Sequence, residues 1–113
     1  MADHIKLRKA SGRYSIRAAG AVLGESNAVI ELSEGSAAPV LYIPRGDLAM
    51  AFFDQTDKTS HCPHKGDAVY FTIQAKSGPI ENAAWSYETP KEGLEDIAGH
   101  LAFYTDRVTV EEI

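Results

Sequence analysis

The stretch DAVYFTIQAKSGPIENAAWSY, residues 67–87, decides the fold. In its first half Val69, Phe71 and Ile73 alternate with Tyr70, Thr72 and Gln74. That period of two places successive side chains on opposite faces of a strand. Lys76, Ser77, Gly78 and Pro79 then give a turn signal. The returning segment sets Trp85 and Tyr87 on one face. Sequence-adjacent strands pair most often, so the stretch predicts an antiparallel hairpin.

The same pattern extends to both sides. In RYSIRA (13–18), Tyr14, Ile16 and Ala18 share one face and Arg13, Ser15 and Arg17 the other, before Ala19 and Gly20 break the run. AVIEL (28–32) and VLYI (40–43) read as strands split by the loop 33–36, and residues 44–47 turn the chain. MAFF (50–53), HLAFY (100–104) and RVTVEEI (107–113) complete the strand set. One helix is expected over 90–98. Thr89 can cap it, Pro90 suits its first position, Glu92 completes a capping box, and Gly99 stops it. About eight short strands and one short helix near the C-terminus predict a mainly β fold, either a curled antiparallel sheet or two sheets.

A chain of 113 residues is expected to form a single domain over 1–113, large enough to bury a core without disulfides. Hydrophobic residues make up 44%, which argues against disorder. No apolar run is long enough to span a membrane, and MADHIKLRKA is too polar for a signal peptide. With one cysteine, these features predict a cytoplasmic protein. The net charge of −5 repels phosphate backbones. Lys6, Arg8 and Lys9, followed by Arg13 and Arg17, read as a solvated arm and an exposed strand face, so no nucleic-acid partner is expected. The oligomeric state is not fixed by the sequence.

TSHCPHKGD, residues 59–67, holds the only cysteine. CPHKG has the form of one loop of a Rieske iron–sulfur centre, which needs two Cys and two His from two loops. There is no second cysteine, and His4 and His100 have no cysteine neighbour, so the cluster is excluded. Zinc is disfavoured but stays open: Cys62 with His61, His64 or His100 makes three ligands, yet adjacent strand residues point to opposite faces. No metal ligand and no cofactor are expected.

LYIPRGDLAM (41–50), HCPHKGDAVYF (61–71), ENAAWSY (81–87) and AFYTDRV (102–108) occur in an order that resembles the domain-of-unknown-function 427 family over about residues 12–111. The resemblance implies a small all-β bacterial protein of β-tent, or Mss4-like, architecture, with two antiparallel sheets packed at an angle. Relatives on that fold bind zinc through paired cysteines that this chain lacks. A nucleotidyltransferase label attached to the family finds no phosphate loop and no Asp-x-Asp pair here. The family commonly has an aromatic residue where this chain has His64. The motifs imply a shared site near Tyr42, Asp47, His61, Cys62, Lys65, Asp67, Tyr70, Trp85, Tyr87, Tyr104 and Arg107.

Each of these residues has a plain reading and a functional one. Cys62 is a small buried hydrophobe or a thiolate activated by His61 and Lys65. In the second case His61 is a base, Asp67 orients it and Lys65 stabilises negative charge, a candidate catalytic set. HKGD is a turn with Gly66 at positive φ, a reading that does not exclude the first. Tyr42, Tyr70, Trp85, Tyr87 and Tyr104 are core or the walls of a ligand pocket. Arg107 pairs with a carboxylate or holds an anionic ligand, and Asp47 caps a turn or joins the site. Three functions stay open: a small-molecule-binding domain, which is favoured, an enzyme using Cys62 and His61 or another transferase-type activity, and a protein-interaction module.

Overall fold

A computed structural model describes residues 4–113. Its ten strands are β1 (Ile5–Lys9), β2 (Tyr14–Ala18), β3 (Ala21–Ser26), β4 (Ile30–Glu34), β5 (Val40–Tyr42), β6 (Phe53–Cys62), β7 (Gly66–Ala75), β8 (Gly78–Ser86), β9 (Ala102–Phe103) and β10 (Thr109–Glu112). All pairings are antiparallel. The mainly β class therefore holds.

The number of sheets departs from the two of the expected tent. The strands form three sheets, ordered β1-β4-β5, β10-β2-β3 and β6-β7-β8-β9. Two isolated bridges add to them: Ile43 to Leu101, just beyond β5 and just before β9, and Gly24 of β3 to Leu48 in the segment after β5. The second bridge depends on glycine, since a Cβ at Gly24 would lie 2.2 Å from the Asp47 carbonyl oxygen.

The deciding stretch behaves as its alternation requires. β7 and β8 form a hairpin closed by Lys76 and Ser77, with Ala75 opposite Gly78. Phe71 and Ile73 enter one core with Ile16, Leu23 and Phe103, while Ala68 and Tyr70 enter another with Ile5, Leu32 and Tyr42. The four-stranded sheet thus contributes both faces to separate cores, which is why β7 carries large apolar groups at odd and even positions.

Two segments depart from expectation. The helix over 90–98 reduces to one 3-10 turn, Glu95–Ile97. Gly93 takes φ +92, which breaks any α-helix there, and the Lys91 N–H donates to the Lys65 carbonyl instead. Leu94 and Ile97 are fully buried nonetheless, so the periodic apolar residues serve packing rather than helix formation. MAFF is likewise a 3-10 turn over Met50–Phe52, with only Phe53 in a strand. β1, β3 and nearly all of β6 are strands beyond those expected; β6 lacks a pattern because it is a polar edge strand interrupted by a bulge between Gln55 and Thr59.

Lys6, Arg8 and Lys9 lie on β1, paired with β4, rather than on a solvated arm; Arg17 lies on β2 and Arg13 immediately precedes that strand. Arg8 donates to Glu31 at 2.7 Å, Arg13 to Glu25 at 2.9 Å, and Arg17 to Glu111. The three arginines of the basic stripe thus face carboxylates on neighbouring strands.

Candidate functional site

The four-stranded sheet lines up the aromatic residues. Tyr70 on β7 lies opposite Trp85 on β8, and Trp85 lies opposite Ala102 on β9, which carries the chain to Tyr104. The Trp85 and Tyr104 rings stack at 4.8 Å between centroids, tilted by 52°. From the facing sheet Tyr42 on β5 accepts a hydrogen bond from Trp85 Nε1 at 3.4 Å. Tyr87, Cys62 and Val40 pack into the same cluster.

Burial divides this cluster. Tyr42, Tyr70 and Tyr87 are 1%, 7% and 6% exposed and belong to a closed core. Trp85 and Tyr104 are half-buried. They wall a cleft of about 330 Å³ with Pro39, Val40, Thr105 and Val110.

The hydroxyls stay protonated at ordinary pH. Burial pushes Tyr42 up to about 12, although the Trp85 hydrogen bond works the other way. Burial also raises Tyr87, and burial with a hydrogen bond to Tyr70 raises Tyr104. These groups donate and accept hydrogen bonds as neutral phenols. Two cations flank them: Lys58 Nζ lies 4.6 Å from the Tyr70 ring centroid, and the Arg107 guanidinium 5.3 Å from that of Tyr104. Tyr70 also shares a 2.9 Å hydrogen bond with Ser60.

The motif residues at the β6–β7 turn separate into two groups. His61 and Asp67 face each other across the hairpin, both exposed, with His61 Nδ1 2.7 Å from the Asp67 carboxylate. Cys62 follows His61 on the strand, so the two side chains point to opposite faces, and Cys62 is half-buried against the aromatic core. Gly66 takes φ +112 in the turn. Lys65, with its side chain 15% exposed, donates to Glu34 at 2.7 Å. That bond, opposed by burial, holds the Glu34 carboxyl below its ordinary value. His4 bonds the other Glu34 oxygen at 3.3 Å and packs edge-on against His64.

Asp47 and Arg107 sit apart from the thiol. Asp47 accepts from the Ser26 hydroxyl at 2.7 Å, and that hydroxyl accepts from the Ala28 N–H. Arg107 donates to the carbonyls of Glu81 and Asn82 at 2.6 and 3.4 Å and lies 3.9 Å from the Asp106 carboxylate. It reaches the aromatic group only through Tyr104.

Glu34, Lys58 and Ser60 were missed by sequence reasoning. Glu34 ends β4 in residues expected to be loop, and the β6 bulge erases any periodicity around Lys58. Among the described residues no group of three or more His, Cys, Asp or Glu side chains is arranged to hold a metal ion. No helix among them is long and apolar enough to cross a membrane.

A comparison with curated proteins finds no match. Residues 6–113 match the model of the family described as Domain of unknown function (DUF427), and with nearly its whole length matched the chain belongs to that family.

Proposed function

We propose that the domain binds a small ring-bearing molecule in the cleft walled by Trp85 and Tyr104. The observation that carries this reading is the pair of contacting, half-buried rings forming one wall of a cleft of about 330 Å³. Ligand sites are concave, mostly apolar and furnished with a few placed polar groups. Here Pro39, Val40 and Val110 supply the apolar walls and Thr105 a hydroxyl. The closed tyrosine core behind it holds Trp85 in one orientation through its bond to Tyr42. A rigid platform loses little side-chain entropy on binding.

Thiol chemistry at Cys62 draws less support, because the His61 ring bonds Asp67 on the far side of the strand. Lys65 is occupied by Glu34.

Trp85 is the only tryptophan, so its fluorescence reports on the cleft directly. Titration with benzyl alcohol, phenol and cyclohexanol is expected to shift or quench Trp85 emission saturably, and Tyr104→Ala is expected to weaken the response. Unchanged emission with all three probes, in protein that remains folded, would remove the proposal.

A further inference from the structure

A second concavity lies where the β2–β3 hairpin passes the end of β7. The hairpin carries Ala18, Ala19, Gly20 and Ala21 in succession, so no side chain larger than a methyl fills the space. The result is a groove of about 300 Å³. Leu23 and Ile73, both buried, form its floor. Val22 and Phe52 form its rims, 59% and 52% exposed.

The exposed large hydrophobics of the described residues are Val22, Phe52 and Ile113, and two of them border this one groove. Exposed apolar side chains gathered around a concavity mark a binding surface, whereas scattered ones do not. No acidic residue lines it, and Lys76 stands at its mouth without an ion-pair partner among the described residues. The one carboxylate bonded to a lining residue is Asp54, which accepts from the Gln74 amide at 2.9 Å. On a chain of net charge −5, an apolar groove ending at a lone ammonium favours an anionic head on an apolar tail.

We infer that this groove binds a short amphiphilic carboxylate, its chain lying over Leu23 and Ile73 and its head at Lys76. The volume sits at the lower end of the roughly 300–1,000 Å³ of small-molecule pockets, which selects a short chain over a long acyl chain. A second copy of the chain fits less well, since two exposed apolar side chains fall short of the roughly 800 Å² per partner of a stable interface. The groove shares no residue with the Trp85–Tyr104 cleft.

The test is an amide NMR titration with sodium octanoate, using octyl glucoside as the uncharged control of equal chain length. Octanoate is expected to shift Ala21, Val22, Phe52 and Ala75 saturably while Trp85 stays in place. Lys76→Gln, a surface change that leaves the core intact, is expected to weaken octanoate roughly two- to fivefold and leave octyl glucoside unaffected. Ala21→Leu and Ala75→Leu are each expected to abolish both, with the remaining amide spectrum reporting that the fold is kept. Absence of saturable shifts, or octanoate binding indifferent to Lys76→Gln, would overturn the inference. So would sedimentation showing a dimer whose formation shifts the same amides without ligand.

Discussion

Tyr70 and Trp85 stand directly opposite each other on β7 and β8, and their polar ends reach in different directions. The Tyr70 hydroxyl bonds Ser60 on β6, while Trp85 Nε1 bonds Tyr42 on β5 of the facing sheet. One rung of the ladder thus connects the edge of the four-stranded sheet to the sheet packed against it. A slip of one residue would send both rings into the other core and leave the cleft without its wall.

Tyr42 makes stability sensitive to alkali. Its hydroxyl is raised from 10.0 to about 12 by burial, so the folded state holds this proton more tightly than the unfolded chain. A raised folded value gives a stabilisation present below the unfolded pKa and lost as pH rises through the folded one. Urea midpoints are therefore expected to fall between about pH 10 and pH 12. Tyr42→Phe is expected to flatten that fall. It also leaves Trp85 Nε1 without its acceptor, at a cost of about 1 kcal/mol at neutral pH.

The hairpin that presents Tyr70 and Trp85 was legible because each residue obeys a period of two and Lys76–Pro79 punctuates it. The alternation of Phe71 and Tyr70 did not reveal that both faces of the sheet are buried, since that depends on two other sheets folding over it. The helix over 90–98 misled for a related reason. Leu94, Ile97 and Ala98 have helical spacing, but Gly93 at φ +92 and the bond from Lys91 to Lys65 are set by tertiary contacts. Among the site residues, spacing grouped His61 with Cys62, whereas the strand geometry separates them and pairs Lys65 with Glu34, far away in sequence.

That Lys65–Glu34 pair governs the acid side. Its hydrogen bond depresses the Glu34 carboxyl below 4.5, so the folded state releases this proton more readily than the unfolded chain. The sign is the reverse of Tyr42: the stabilisation is present above the unfolded value and is lost as pH falls through the folded one. Thermal midpoints are expected to drop below about pH 4.5, and Glu34→Gln is expected to lessen the drop. Lys65→Met at pH 7 is expected to cost on the order of 1 kcal/mol in urea unfolding, because the pair is only partly shielded.

His61 and Cys62 are neighbours in the chain and lie on opposite faces of β6. His61 bonds Asp67 on the exposed side of the hairpin, while Cys62 packs against the aromatic core. His61→Ala is therefore expected to leave the iodoacetamide alkylation rate of Cys62 unchanged from pH 6 to pH 9. Tyr87→Ala, which opens the packing around the thiol, is expected to raise it. A slower reaction in His61→Ala, followed by mass spectrometry, would instead couple the imidazole to the thiol and restore the catalytic set.

The β2–β3 turn holds a correctable strain. Ala18 pairs with Ala21, so Ala19 and Gly20 form a two-residue loop, and both have positive φ, 49 and 80. This is the type I′ arrangement whose twist matches the strands and whose favoured sequence is Asn-Gly. Alanine in a left-handed conformation costs roughly 1–2 kcal/mol, which asparagine reduces through its short polar side chain. Ala19→Asn is expected to stabilise the protein by about 0.5–1 kcal/mol, seen as a higher urea midpoint at unchanged slope. Gly20→Ala probes the same strain with opposite sign. Nothing lies within 4 Å of a Cβ placed there, so any loss, about 1 kcal/mol, comes from the backbone alone. If Ala19→Asn were neutral while Gly20→Ala was costly, the strain at Ala19 would already be relieved in solution by a different turn.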